Sequence, residues 1–381
     1  RCAAGEGVMG GGRAREETAI AIIGASGAGL FAAWRLAAAG RPVVVYAGQG
    51  EPRWTSRTLI VTDMLLRHWP GFPEPLLRHP ITAFELWAGG TCLRLPLRRP
   101  DWVVERAEIL AGLAALAQGA GATIRWGWRF VGWEDGALWV RSPRGDSERI
   151  RPAALLAADG VRSRVGAAWG LPPPPRVLVL QARVRLPRWA SPELAVVWFD
   201  PEATPYFYWL IPESPGEGVL GLATELGQPI RVLLDGFLAR LGLEPLAYQG
   251  GVVAVYRPGL PFRVERAGLS LFRIGDAGGQ VKGTTVGGTV TGLWGAAAAV
   301  AALQGDGMGL ARRLEGELLA HWVVRRLLHR FALEDYERLL WGLNRGARGV
   351  LGSIPRDRFA VGAWRLLLAQ PTLLLSALRG R

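Results

Sequence analysis

The sequence predicts an α/β fold in which a parallel sheet covered by helices is interrupted along the chain by a second, inserted sheet. Three observations predict it. A buried strand feeds a glycine-rich turn and a helix near the start, an alternating aromatic β pattern fills the middle, and the buried-strand pattern returns from residue 269. Residues 18–23 are apolar after the first position, and the helix predicted over 28–39 ends at Gly40, a residue suited to the left-handed turn after a helix. Residues 43–46 make the next strand, and continuous apolar strands joined by a helix belong to parallel sheets with both faces covered. A further helix is predicted over 105–119 and another buried strand over 154–158. From 177 to 255 the pattern alternates, as in 195–199 and 206–210, before a strand at 269–274 leads into a glycine-rich turn and an alanine-rich helix. The first unit is therefore discontinuous. It is expected over 18–60, 101–171 and 262–308, with the inserted sheet unit over 61–100 and 172–261 and a helical C-terminal region over 309–381.

Half of the 381 residues are hydrophobic and a fifth are charged, the balance of a globular chain. The formal net charge is +13, carried by arginines that are scattered rather than blocked; Lys282 is the sole lysine. No nucleic-acid motif accompanies them, so no nucleic-acid partner is expected; a solvated surface and a membrane-surface contact remain as readings of the charge. Cys2 and Cys92 show no metal spacing, and His68, His79, His321 and His329 are dispersed, so no metal site and a reducing, cytoplasmic setting are expected. Residues 1–17 lack the apolar core of a secretory signal and are expected to be a disordered extension, with Met9 a candidate start. The apolar stretch 19–33 is broken by Gly24, Ser26, Gly27 and Gly29, whereas a spanning helix needs about 20 continuous apolar residues.

Three sites carry chemistry. The first is Gly24-Ala-Ser26-Gly-Ala-Gly29, placed between strand and helix as a Rossmann-type dinucleotide fingerprint requires. Gly24 permits the tight turn, Ser26 stands at the small middle position where backbone approaches a pyrophosphate, and Gly29 lets helix and strand pack closely. The acid that should follow about 20 residues later to bind a ribose is replaced by Ala47, leaving Glu51 as the substitute if the loop curls back. The second site is Asp159-Gly160 at a strand end, followed by Arg162, Ser163 and Arg164. An ordinary Asp–Gly turn is the competing reading. The third runs from Gly275-Asp276 through Lys282, Gly283, Thr284, Thr285, Val286, Gly287 and Gly288. There a carboxylate at a strand end can accept from a sugar-alcohol hydroxyl, and the glycines let backbone approach a planar ring.

In this order the three sites resemble the FAD-dependent group that includes aromatic hydroxylases, flavin halogenases and geranylgeranyl reductases, over residues 18–303. The resemblance implies that Gly24, Ser26 and Gly29 hold the ADP half of FAD and that Asp159 and Gly160 lie near the pyrophosphate. It further implies that Gly275 and Asp276 bind the ribityl chain, that Gly287 and Gly288 face the flavin, and that Arg106 stands near the cofactor. The loop is most similar to the Val-Lys-Pro-Thr-Thr-Gly-Gly-Gly run of geranylgeranyl reductases, with Gly283 for proline and Val286 for the first glycine of three. Both changes are expected to alter the loop. Residues 207–212 resemble the Tyr-x-Trp-x-Phe-Pro motif of those reductases and the Trp-x-Trp-x-Ile-Pro of halogenases. The early lysine of halogenases is missing, and so is the cysteine that the reductases carry after the second strand.

The expectation is therefore an FAD-dependent oxidoreductase that reduces carbon–carbon double bonds of a prenyl or other apolar substrate, using NADPH or another reductant. Tyr206, Tyr208 and Trp209 are expected to line its tunnel. An FAD-dependent monooxygenase and a degenerate, non-catalytic relative stay open as alternatives. No catalytic acid is assigned. The 359–378 stretch, with Trp364, Arg365 and several leucines, is expected to pack on the flavin unit, with a membrane interface as the second reading.

Overall fold

The computed structural model describes residues 19–52 and 54–372. Its first sheet orders the strands Arg263–Arg266, Leu269–Arg273, Ala154–Ala157, Ile20–Ile23, Val43–Ala47 and Thr123–Trp126. All neighbours pair in parallel except Arg263–Arg266, which is antiparallel to Leu269–Arg273. Taken in chain order, the five parallel strands stand 3-2-1-4-5. That order reverses between Ile20–Ile23 and Ala154–Ala157, the switch point at which such sheets bind ligands.

Side chains on alternate positions explain why these strands are apolar throughout. Ile20, Ile22, Val43 and Val45 pack under the helices Gly27–Ala38, Arg106–Gly119 and Thr289–Gln304. Ala21, Ile23, Val44 and Tyr46 face a three-stranded sheet and Trp169 on the other side. Both faces are covered, as the continuous apolar pattern predicts.

The second sheet has eight strands, ordered Pro245–Ala254, Arg176–Arg185, Glu217–Glu225, Phe207–Pro212, Leu194–Phe199, His79–Ala88, Thr91–Glu105 and Thr58–Val61. Two boundaries read from the sequence move. Residues 58–60 and 101–105 were expected in the first unit, but Thr91–Glu105 is one continuous strand that pairs with both His79–Ala88 and Thr58–Val61. The helix starts at Arg106, where the Glu105 side chain accepts from the Ala107 N–H and caps it. Helices Gly309–Leu328, Leu333–Gly342, Arg345–Ser353 and Phe359–Ala369 make up the C-terminal region. The expectations for residues 1–17 and 373–381 lie outside the described residues.

Strand Phe207–Pro212 divides its side chains between the two faces of the sheet. Phe207, Trp209 and Ile211 point to a large internal cavity, and Tyr208 points the other way, stacked on Phe237 with ring centroids 4.0 Å apart. Tyr208→Ala is expected to cost about 3–5 kcal/mol of stability through the void left among packed side chains. Urea denaturation reads it, and the cavity on the opposite face should be untouched.

Candidate cofactor and substrate site

One cavity of about 1210 Å³ runs from the switch point of the first sheet to the inner face of the second. At Gly24 and Gly29 no side chain fits. A Cβ on Gly24 would stand 2.4 Å from the Ala158 carbonyl oxygen, and one on Gly29 would stand 2.3 Å from the Gly24 oxygen. Gly24 also takes φ of 105°, which an L side chain resists. The serine at the middle of the fingerprint has a positive role: Ser26 caps the helix, its Oγ accepting from the Gly29 N–H at 3.2 Å. Ser26, Gly27 and Ala28 line the cavity, so the helix N-terminus and its partial positive charge face it. A second helix, Thr289–Gln304, brings its own N-terminus to the wall through Gly288, Thr289 and Val290.

Two arginines and a carboxylate sit together at the centre. Glu105 accepts from the Arg57 N–H at 2.7 Å, and the Arg106 N–H donates to the Arg57 carbonyl at 3.0 Å, which places Arg57 and Arg106 side by side on the cavity wall. Burial lowers the pKa of Arg57 and the neighbouring Arg106 lowers it further, with Asp276 opposing. Burial pushes the Asp276 carboxyl up, against the Ala254 N–H and the two guanidinium groups. Sequence reasoning found Arg106 and Asp276 and missed Arg57, which only the strand pairing brings to them.

The Gly275–Gly288 loop forms the next stretch of wall. Gly275, with φ of 61°, lies against Ala28, where a Cβ would meet the Ala28 methyl at 3.1 Å. Gly287 and Gly288 line the cavity, and Val286 takes φ of 52°, a left-handed conformation that is rare for a β-branched residue. The expected change of the loop is thus resolved as strain: valine adopts a backbone conformation that glycine favours. Gly283, in place of the proline, lets the helix Gly309–Leu328 come close, for a Cβ there would stand 3.2 Å from the Arg325 Cβ.

The sole lysine is buried in the wall and pairs with Asp357, whose second oxygen accepts from Thr62 Oγ1 at 2.6 Å. Burial pushes the Asp357 carboxyl up, but Lys282, Thr62 and Arg356 outweigh it and hold it below the usual carboxylate range. Arg356 pairs with Asp101 at 2.5 Å, and the His321 ring shares a 2.5 Å hydrogen bond with Thr284 and lies 3.3 Å from Glu317. Asp101, His321 and Asp357 therefore join the site, supplied by segments the sequence did not connect to it. Its polar end continues into an apolar floor that includes Phe84, Leu97, Val179, Val197, Phe207 and Trp209.

Other expected residues stand elsewhere. Tyr208 is turned away from the cavity by strand alternation. Tyr206 lies outside it too, edge-on to His329 with Arg325 over its ring. Trp209 is kept, and it lies over Gly221, where a Cβ would be 2.5 Å from its ring. Gly160 lines the cavity, whereas Asp159 accepts from the Val165 N–H at 3.1 Å and shapes the turn. Glu51 is exposed, four residues beyond the end of the strand Val43–Ala47 that lacks the acid.

The residues present fit a flavin dinucleotide. Gly27 and Gly160 leave the switch-point wall as bare backbone, two helix N-termini and two arginines offer positive potential, and Thr285 Oγ1, buried in the loop, has no partner among the described residues. No family model matches the chain. It is 28% identical over 303 residues, 72% of this chain and 77% of the relative, to digeranylgeranylglycerophospholipid reductase 1 of Methanopyrus kandleri. The fold is shared with solved structures. A geranylgeranyl bacteriochlorophyll reductase-like protein from Thermoplasma acidophilum superposes with a TM-score of 0.74 at 17% identity, covering 94% of this chain and 97% of the other. A flavin-dependent brominase superposes with a TM-score of 0.69 at 14% identity, covering 96% of this chain and 100% of the other. The resemblance to geranylgeranyl reductases read from the motifs is thereby borne out.

Two outcomes test the wall. Lys282→Met is expected to cost about 3–5 kcal/mol by leaving Asp357 buried and unpaired, and Lys282→Met with Asp357→Asn to cost less than the sum of the two single changes. A double-mutant cycle in urea measures it. Burial, partly offset by Glu317, lowers the His321 pKa in the fold. The unfolded chain then binds the proton first, so the stability from neutral His321 is whole above about pH 6.5 and falls as pH drops toward the folded pKa. His321→Asn is expected to show a smaller loss of melting temperature than the parent between about pH 7 and about pH 5.

Proposed function

We propose that the chain is an FAD-dependent oxidoreductase that reduces carbon–carbon double bonds in a prenyl chain or a similar apolar substrate. One observation carries this reading: the cavity is continuous from the glycine-lined switch point to the apolar face of the second sheet. Its volume of about 1210 Å³ exceeds the roughly 300–1,000 Å³ of a single small-molecule site, as expected for cofactor and substrate together. The relative named as a digeranylgeranylglycerophospholipid reductase supports the choice of chemistry. Bound flavin, once reduced by NADPH or another donor, would supply hydride to one carbon of the double bond, a proton reaching the other.

The chain's own residues bind, orient and exclude water. Gly24, Ser26 and Gly29 present the helix N-terminus to a pyrophosphate, with Arg57 and Arg106 adding positive charge. Asp276 would accept from a ribityl hydroxyl, and Gly287 and Gly288 would give a ring close access to backbone. Lys282 and Asp357 fix the loop by a buried ion pair rather than leaving the ammonium free. Trp209, Phe207 and Val197 hold apolar chain against the ring end and keep water out. Cys92 is exposed and outside the cavity, so among the described residues no cysteine stands ready as a proton donor.

The purified chain is expected to show flavin absorbance, and after anaerobic reduction to add two hydrogens per double bond to a geranylgeranyl substrate, read by mass spectrometry. Val197→Trp is expected to keep the absorbance and lower turnover by about tenfold or more through loss of chain binding. Substrate-stimulated oxygen uptake without saturation would instead assign a monooxygenase, and a colourless chain that FAD cannot reconstitute would remove both readings.

A further inference from the structure

The open end of the cavity carries a surface that the chemistry inside does not use. Arg67, Arg98, Arg99, Arg358 and Arg365 are exposed and line it. Asp63 pairs with Arg99 at 2.7 Å and Arg67 at 3.6 Å, while Arg98, Arg358 and Arg365 have no ion pair among the described residues. Helix Phe359–Ala369 runs along this rim. Val361 and Arg365, one turn apart, line the cavity.

On the same helix Val361, Trp364 and Leu368 follow the i, i+3, i+7 spacing of one face, and they are 50%, 66% and 66% exposed. The other side is packed, for a Cβ on buried Gly362 would stand 2.8 Å from the Ile354 side chain. Gln370 donates to the Gly342 carbonyl at 2.8 Å, which brings the neighbourhood of Trp341, itself 82% exposed, to the end of that helix. An apolar stripe containing tryptophan, beside arginines and around a cavity mouth, has the composition of a helix that lies in a lipid–water interface.

We propose that this rim docks on an anionic lipid bilayer, with Val361, Trp364 and Leu368 seated among the headgroups and the rim arginines on lipid phosphates. Charge selects this occupant over a second copy of the chain. Two copies joined through the rim would bring like-charged arginines together, whereas an anionic surface is complementary to them. Docking there sets the cavity mouth against the membrane, so an apolar chain enters without crossing water. That last consequence rests on the proposed reductase reading; the docking itself does not.

Co-sedimentation of the full chain with phosphatidylcholine vesicles, with and without phosphatidylserine, tests the proposal. Binding is expected to the anionic vesicles and to weaken with salt. Trp364→Ser with Leu368→Ser is expected to reduce it by about tenfold or more, and Arg358→Glu with Arg365→Glu to abolish the preference for anionic lipid. Flavin absorbance and turnover of a detergent-solubilised prenyl substrate are read in parallel and should survive the serine changes, so failure of docking and failure of the reductase chemistry are separable. The proposal is overturned if the parent chain ignores anionic vesicles, if the serine variant binds as well as the parent, or if sedimentation velocity shows a lipid-free dimer that the serine changes dissociate.

Discussion

The architecture depends on a place where nothing larger than hydrogen fits. The ends of Ile20–Ile23 and Ala154–Ala157 approach so closely at Gly24 and Gly29 that either Cβ would collide with backbone. That closeness sets the helix Gly27–Ala38 against the sheet and turns its N-terminus toward the switch point. The turn at Gly275 then lies against Ala28, and Gly292 of the next helix stacks above it, 3.5 Å from the Gly275 Cα to where its own Cβ would be. Small residues from three distant stretches thus make one floor, and the cavity opens where they end.

A constraint of the opposite kind holds the far wall. Lys282 and Asp357 are both buried, and burying either alone would cost several kcal/mol. The pair joins the glycine-rich loop to the C-terminal region, and Thr62 ties the same carboxylate to the segment after the strand Thr58–Val61. The C-terminal helices are therefore part of the site's construction and not an appendage to it. Val286 is tolerated within this frame. A left-handed L residue costs roughly 1–2 kcal/mol, and here the Val286 N–H donates to the Lys282 carbonyl at 2.9 Å while its side chain packs with the apolar group around Trp209.

Much of this was legible in the sequence wherever the signal is local. Strand, glycine turn and helix at 18–39 announce themselves through residue size and period, and so does the Gly275–Gly288 loop. Alternation in 207–212 was equally local, and a period of two separates Tyr208 from Trp209; reading both as tunnel-lining ignored it. The boundary at 101–105 was missed because a strand crossing between units has no punctuation inside it. Arg57, His321 and Asp357 carried no local signal at all. Asp357 meets Lys282 across 75 positions of chain, and only the principle that a buried ammonium needs a carboxylate could have prompted a search for a partner.

These two constraints also explain how one cavity can have ends of such different character. The glycine floor leaves helix dipoles and backbone N–H groups uncovered, which favours an anion and a polar ring system. Beyond Trp209 the wall is sheet, and sheet offers side chains rather than free backbone, so its inner face is apolar from Val179 to Phe84. The ion pair stands at the junction, on the side supplied by the C-terminal region. The pair ties that region to the loop, since Asp357 cannot leave Lys282 without leaving a buried charge behind. The far wall of the cavity and the shape of its glycine-rich loop therefore rest on one contact.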